Sequence, residues 1–142
     1  AGRRAALPAL ARVKPTTVLE DATVPRNRIP DMLVRLEEIA EKYKLQIGTF
    51  GHAGDGNLHP TILTDSRDEE EMSRVRQAID EIFATALEMG GTLSGEHGIG
   101  IGKSKYMIDQ FGEAGLETFK AVKEAFDPTY MFNPDHFIFK GE

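Results

Sequence analysis

Cysteine and tryptophan are absent from this 142-residue chain, and no apolar run approaches the roughly 18 residues that a membrane-spanning helix needs. Without a thiol there can be no disulfide, iron–sulfur cluster, thiolate zinc site or cysteine nucleophile, so any metal must sit on imidazole and carboxylate ligands. Basic residues are in the minority, 17 Lys and Arg against 23 Asp and Glu for a net charge of -6, which is the wrong sign for a nucleic-acid binder. The N-terminus also lacks the charged, apolar, small order of a secretory signal, so a cytoplasmic location is expected, with no membrane span and no nucleic-acid partner. Pro/Gly/Ser linkers, internal repeats and low-complexity stretches are missing too, and residues 1–142 are expected to form a single domain.

What is present begins with a basic segment: Ala1 to Pro15 carries Arg3, Arg4, Arg12 and Lys14 and no acid. An opening without methionine or helix-capping residues is expected of a fragment of a longer protein. Thr16 to Val24 mixes β-branched and polar residues up to Pro25 and reads as a strand. From Ile29, the residues Met32, Leu33, Leu36, Ile39, Ala40 and Tyr43 recur at helical spacing, with Pro30 in the first turn. Leu45–His52 and Leu58–Leu63 read as strands of a hairpin around Gly54-Asp55-Gly56-Asn57. A capping box of Ser66 and Glu69 opens a helix through Met72, Val75, Ile79, Ile82, Phe83, Ala86 and Met89, which Gly90-Gly91 stops. Thr92–Ser94 reads as a short last strand, and a further helix carries Leu116, Phe119, Val122 and Phe126 to Asp127-Pro128. The order β-α-β-β-α-β predicts an α+β fold: a ferredoxin-like antiparallel sheet with helices on one face, followed by C-terminal helices. The other face is expected to stay free of helices.

The hairpin carries the first chemical signal. With Asp55-Gly56 as the two central residues of a tight turn, His52 faces His59 directly, their Cβ atoms roughly 4.5–5.5 Å apart. Leu45, Ile47, Leu58 and Ile62 alternate out of phase with the two histidines, which puts the aliphatic side on the helices and the histidines on the open side. Such a pair can share one divalent ion, or it can be an exposed cross-strand pair with no ligand.

A second signal is Ser94-Gly95-Glu96-His97-Gly98-Ile99-Gly100-Ile101-Gly102-Lys103, where glycine density lets backbone approach a ligand closely. Glu96 could complete a His52/His59/Glu96 metal set with an open position, and His97 could act as a general base beside it. Adjacent residues in extended chain point opposite ways, so the loop must bend for both to serve one site. Gly102-Lys103-Ser104 resembles the end of a phosphate-binding loop, but that motif needs glycine five residues before Gly102 and His97 stands there. His136 reads as structural, and Phe132, Phe137, Ile138 and Phe139 form an apolar tail that is either core or a docking segment.

Three stretches taken together, Gly51-His52-Ala53-Gly54-Asp55-Gly56-Asn57-Leu58-His59, Ser94-Gly95-Glu96-His97-Gly98-Ile99-Gly100, and Asn133-Pro134 after Asp127-Pro128, resemble the C-terminal domain of FAD-linked oxidases of the vanillyl-alcohol-oxidase type. Within that family the similarity is greatest to the glycolate oxidase FAD-binding subunit and to D-lactate dehydrogenases. The resemblance implies a cap and substrate domain whose N-terminal FAD-binding domain is absent from this chain and would be its partner. It implies a flavin-dependent 2-hydroxy-acid dehydrogenase or oxidase in which FAD is bound mainly by the missing domain, with electron-acceptor subunits as further partners. His52, His59 and Glu96 become ligands of a divalent metal, zinc by expectation, and His97 the base that takes the substrate hydroxyl proton as hydride leaves for flavin. Arg3 matches the arginine that holds the substrate carboxylate, and Asn133 falls where an Asn-Pro turn approaches the flavin. Two positions depart from the family: Asp135-His136 follow Asn133-Pro134 in place of Gly-Lys, and Thr61 stands where some relatives carry an asparagine that contacts substrate. A small acid such as glycolate or D-lactate is therefore expected over D-2-hydroxyglutarate. The alternatives are a free-standing His/His/Glu metal module and a plain ferredoxin-like interaction domain.

Overall fold

Asn57 to Thr64 is buried at all eight positions, and this strand organises the first of two compact units, one ending at Glu96 and the other beginning at His97. The structure is a computed structural model that describes residue 5 and residues 8–134. In chain order the first unit holds β1 (Thr16–Leu19), β2 (Ala22–Thr23), a 3-10 turn (Arg26–Arg28), α1 (Ile29–Tyr43), β3 (Gln46–His52), β4 (Asn57–Thr64) and α2 (Glu69–Glu88). β4 lies at the centre of a four-stranded antiparallel sheet, bonded to β3 on one edge and to β1 and β2 on the other. The expected α+β class is present. Met32, Leu36 and Ile39 of α1 and Val75, Ala78, Ile82 and Ala86 of α2 share one core with Ala22, Leu58 and Ile62 of the sheet.

The strand expected over Thr16–Val24 is broken at Glu20-Asp21, and Pro60 explains why. Both pieces keep one register along β4, with Leu19 facing Thr61 and Ala22 facing Leu58. Between them Glu20 N–H donates to the Pro60 carbonyl at 2.9 Å, but proline has no N–H to return the bond. The missing donor faces the interrupted edge, while on the other edge Pro60 still pairs with Thr49. Thr92–Ser94, expected as a strand, contributes one antiparallel bridge, with Thr23 N–H to Thr92 O at 3.1 Å and the reverse bond at 2.9 Å.

Two local expectations shift. The cap of α2 is Asp68, whose side chain accepts from Glu71 N–H at 2.9 Å, two residues later than the expected Ser66; the Glu71 carboxylate accepts from Asp65 N–H and so closes no reciprocal box. Ser66 is engaged elsewhere, its N–H donating to Thr16 Oγ1 at 3.1 Å. The second sheet face is also less open than its lack of helices suggests. Thr61 on that side is fully buried, and Leu10 crosses where Gly48 lacks a side chain, its Cδ1 lying 3.0 Å from the site a Cβ would occupy.

Close approach also dictates glycine in the chain after α2. A Cβ on Gly91 would lie 2.0 Å from Thr23 O, and one on Gly95 2.4 Å from Thr23 Oγ1 and 2.7 Å from Asn57 Cγ. The second unit contains a 3-10 turn (Ser104–Tyr106) and α3 (Met107–Phe126), interrupted at Gly112, whose φ of 63° and ψ of -179° are not helical. The helix thus begins well before Leu116. Asp127 closes it by accepting the N–H groups of Met131 and Phe132 at 3.0 and 2.9 Å.

Ion pairs on the first unit set its response to acid. Hydrogen bonds from Arg67 hold the Asp65 carboxyl down at about 2, and Lys14 lowers that of Glu71. A carboxyl depressed by folding contributes stability that is fully present above its unfolded value, roughly 4, and is lost as pH falls through the folded value. The thermal midpoint should therefore fall as pH drops from about 4 to about 2, and Asp65→Asn should make that limb shallower in a series of melts. Packing gives a second expectation. Gly95→Ala should cost about 1–3 kcal/mol in urea unfolding through steric overlap, whereas Gly54→Ala, whose Cβ would meet nothing within 4 Å, should stay within about 0.5 kcal/mol of the parent.

Candidate metal centre

His52 ends β3 and His59 is the third residue of β4, but they do not face each other directly. The register pairs His52 with Asn57 and Phe50 with His59, so the loop has four residues, Ala53 to Gly56, in place of a two-residue turn. Two features hold this wider loop. The His52 carbonyl accepts from Asp55 N–H and Gly56 N–H at 3.2 and 3.1 Å, and Asp55 Oδ1 accepts from Asn57 N–H at 3.1 Å. Gly56 sits at φ 81°, where a side chain would also run into Val24 O at 2.0 Å. The register differs from the expected one by two residues, and side chains repeat every two residues along a strand. The histidines therefore stay on one face, as a diagonal pair with ring centroids 5.3 Å apart and planes at 87°.

Glu96 joins them from the chain after α2. Its Oε1 lies 3.3 Å from His52 Nε2 and 2.9 Å from His59 Nε2. One ligand atom from each of the three lies within 4.8 Å of the others. In a tetrahedral zinc site with bonds of about 2.0–2.1 Å, neighbouring ligand atoms stand about 3.4 Å apart, so the set fits such an ion with little movement. Two imidazoles and a carboxylate also suit zinc and other borderline divalent ions by donor type. The His59 side chain is 11% exposed, that of His52 39% and that of Glu96 47%. The cluster is thus closed on the β4 side and open on the other, as a site with a free coordination position requires.

Asp21, which the sequence did not single out, bonds the chain that carries Glu96. It is fully buried in the gap between β1 and β2. Its Oδ2 accepts the Ser94 hydroxyl at 2.6 Å and Glu96 N–H at 3.1 Å, and Gly95 N–H reaches Oδ1 at 3.0 Å and Oδ2 at 3.1 Å. The one signal was an acid set inside a strand-like run.

The remaining candidates stand as follows. His97 follows Glu96 in the chain, is exposed and opens the second unit. Asn133 is exposed with φ 49°, in the left-handed region. Arg3, His136 and the tail Phe137-Ile138-Phe139 lie outside the described residues. Among the described residues, no helix is long and apolar enough to cross a membrane.

Residues 1–137 match the family described as FAD linked oxidases, C-terminal domain. The glycolate oxidase subunit GlcD of Bacillus subtilis (strain 168) is 56% identical over 132 residues, covering 93% of this chain and 28% of the relative. GlcD of Escherichia coli (strain K12) is 41% identical over 134 residues, 94% of this chain and 27% of its own length. The D-lactate dehydrogenase of Anaerostipes hadrus is 40% identical over 123 residues, 84% of this chain and 26% of the relative. The chain thus spans little more than a quarter of the length of the relatives it matches. With a family match from the first residue to residue 137, and with identity above one third to oxidoreductases of hydroxy acids, this chain belongs to the C-terminal domains of FAD-linked oxidases.

Proposed function

We propose that this chain is the substrate- and metal-binding domain of a flavin-dependent 2-hydroxy-acid dehydrogenase or oxidase of the glycolate or D-lactate type. The observation that carries the reading is the meeting of His52 Nε2, His59 Nε2 and one oxygen of Glu96 at a half-open site, in a family whose members include glycolate oxidase subunits and D-lactate dehydrogenases. His52, His59 and Glu96 hold a divalent ion, zinc for preference. An ion bound there would supply Lewis acidity toward the hydroxyl that a 2-hydroxy acid presents together with its carboxylate. His97 takes the hydroxyl proton on an imidazole nitrogen. Arg3 holds the substrate carboxylate through its guanidinium fork, a geometry lysine could not reproduce. Asn133 would contact the flavin, which would be bound mainly by residues outside this chain and would supply the two-electron acceptor for the hydrogen leaving the α-carbon. The product is the 2-oxo acid. The remainder of the full-length protein and electron-acceptor subunits are the partners, and the cytoplasm is the proposed location.

All three proposed ligands lie in the first unit, so the test needs only this chain. Metal analysis of the purified protein by mass spectrometry should find about one divalent ion per chain, lost in His59→Ala and retained in His97→Ala. In the cobalt-loaded chain, glycolate or D-lactate should shift the visible absorption, while acetate, lacking the hydroxyl, should shift it less. With free FAD added, the chain alone should give no flavin reduction. Absence of metal after loading with zinc or manganese would overturn the metal-assisted mechanism and favour a plain interaction domain.

A further inference from the structure

The environment of Asp21 carries an inference about how Glu96 reaches the histidines, resting on the metal-site reading above. On either side of the break in the first strand, Leu19 faces Thr61 and Ala22 faces Leu58. Glu20-Asp21 therefore span His59-Pro60, and the same register sets Asp21 across from His59. From that position its carboxylate gathers three donors from consecutive residues, the Ser94 hydroxyl and the N–H groups of Gly95 and Glu96. The neighbouring contacts of the same segment come from the same stretch of chain: Thr92 is bridged to Thr23 in both directions, and Gly95 packs on Thr23 and Asn57. The backbone of Glu96 is thus bonded from the gap between β1 and β2, and the residue before it packs on Thr23 of β2 and on Asn57 of β4, two residues from His59, while the Glu96 carboxylate faces both imidazoles. A buried acid serving only the fold could bond any part of the loop. This one bonds the N–H of the proposed ligand itself.

We propose that Asp21 is the positioning residue of the metal centre: it clamps the Ser94–Glu96 backbone so that Glu96 meets His52 and His59, and so sets the affinity of the site for a divalent ion. Its action runs through Glu96 and not through either histidine. Asparagine is the informative substitution. All three donors reach Oδ2, so an amide oxygen there keeps a contact to each, whereas the amide nitrogen at the Oδ1 position opposes Gly95 N–H and the negative charge is gone. Alanine leaves all three donors without this acceptor.

Zinc affinity measured by competition with a chromophoric chelator should fall about 10-fold in Asp21→Asn and about 100-fold in Asp21→Ala, the range found when partners of metal ligands are removed. The decisive measurement is the double substitution. On a Glu96→Ala background, Asp21→Asn should produce no further loss, because the clamp then has no ligand to position. The cobalt spectrum of Asp21→Ala should approach that of Glu96→Ala, and far-ultraviolet circular dichroism of the metal-free variants reports whether each folds. If Asp21→Ala does not fold, Asp21→Asn and Ser94→Ala carry the test. Parent-like affinity in Asp21→Asn, or an equal loss with and without Glu96, would overturn the positioning role while leaving the metal site standing. A parent chain that binds no zinc would overturn the metal reading first, and this proposal with it.

Discussion

Pairing on both edges of β4 is the constraint on which the first unit depends. A strand bonded on two sides and buried at every position cannot slip by one residue without exchanging Leu58 and Ile62 for His59 and Thr61 on the core face. Ile62 is fully buried and Leu58 nearly so, each worth roughly 1.5–3 kcal/mol relative to exposure. The position of His59 is thereby fixed by aliphatic packing on the opposite side of the strand, with no contribution needed from a ligand. The helices that supply that packing are tied to each other where α1 ends: Lys42 and the Tyr43 hydroxyl both donate to Glu81 of α2, at 2.6 and 2.8 Å.

The other two members of the cluster hang on β4 by different means. His52 is carried by the β3 ladder up to its last pair, and the four-residue loop beyond it is held by its own backbone and by Asp55. Glu96 arrives from the far end of α2 and has no ladder to fix it. A single bridge, a buried carboxylate and two glycines that permit close approach take the place of a strand. The cost of burying Asp21 is offset only because both of its oxygens are engaged by hydrogen-bond donors.

Local pattern was enough to read the class of fold and the core face, and to offer Glu96 as a side chain that could join His52 and His59. The alternation of Leu58 and Ile62 against His59 announced which side the histidines occupy, and an error of two residues in the turn left that conclusion intact. Errors arose where distant residues decide a local outcome. Ser66-Glu69 and Asp68-Glu71 offer the same capping pattern, and the choice between them rests on Thr16, 50 residues away in sequence. Asp21 looked like any acid in a half-exposed strand because the donors that make it buried lie 73 to 75 residues further on. In the sequence Gly91 read as part of a helix stop and Gly95 as part of a segment whose backbone could approach a ligand. Gly91 and Gly95 instead allow the loop to press against Thr23 and Asn57.

The donor set also limits what this part of the protein can contribute to a reaction. Oxidising a 2-hydroxy acid to a 2-oxo acid removes two protons and two electrons. Two imidazoles, a carboxylate and a further histidine can hold a cation, stabilise negative charge and accept a proton, and a chain without cysteine offers no dithiol to take up the electron pair. None of these groups can take up the electron pair, and the proposed division of labour, with a flavin as acceptor, agrees with that. Under the proposed function the first unit would fix the acid by its oxygens, and the hydrogen on the adjacent carbon would be presented to a cofactor held outside this chain. Closed at His59 and open at His52 and Glu96, the cluster has the asymmetry that such an arrangement would need, buried on the β4 side and accessible on the other.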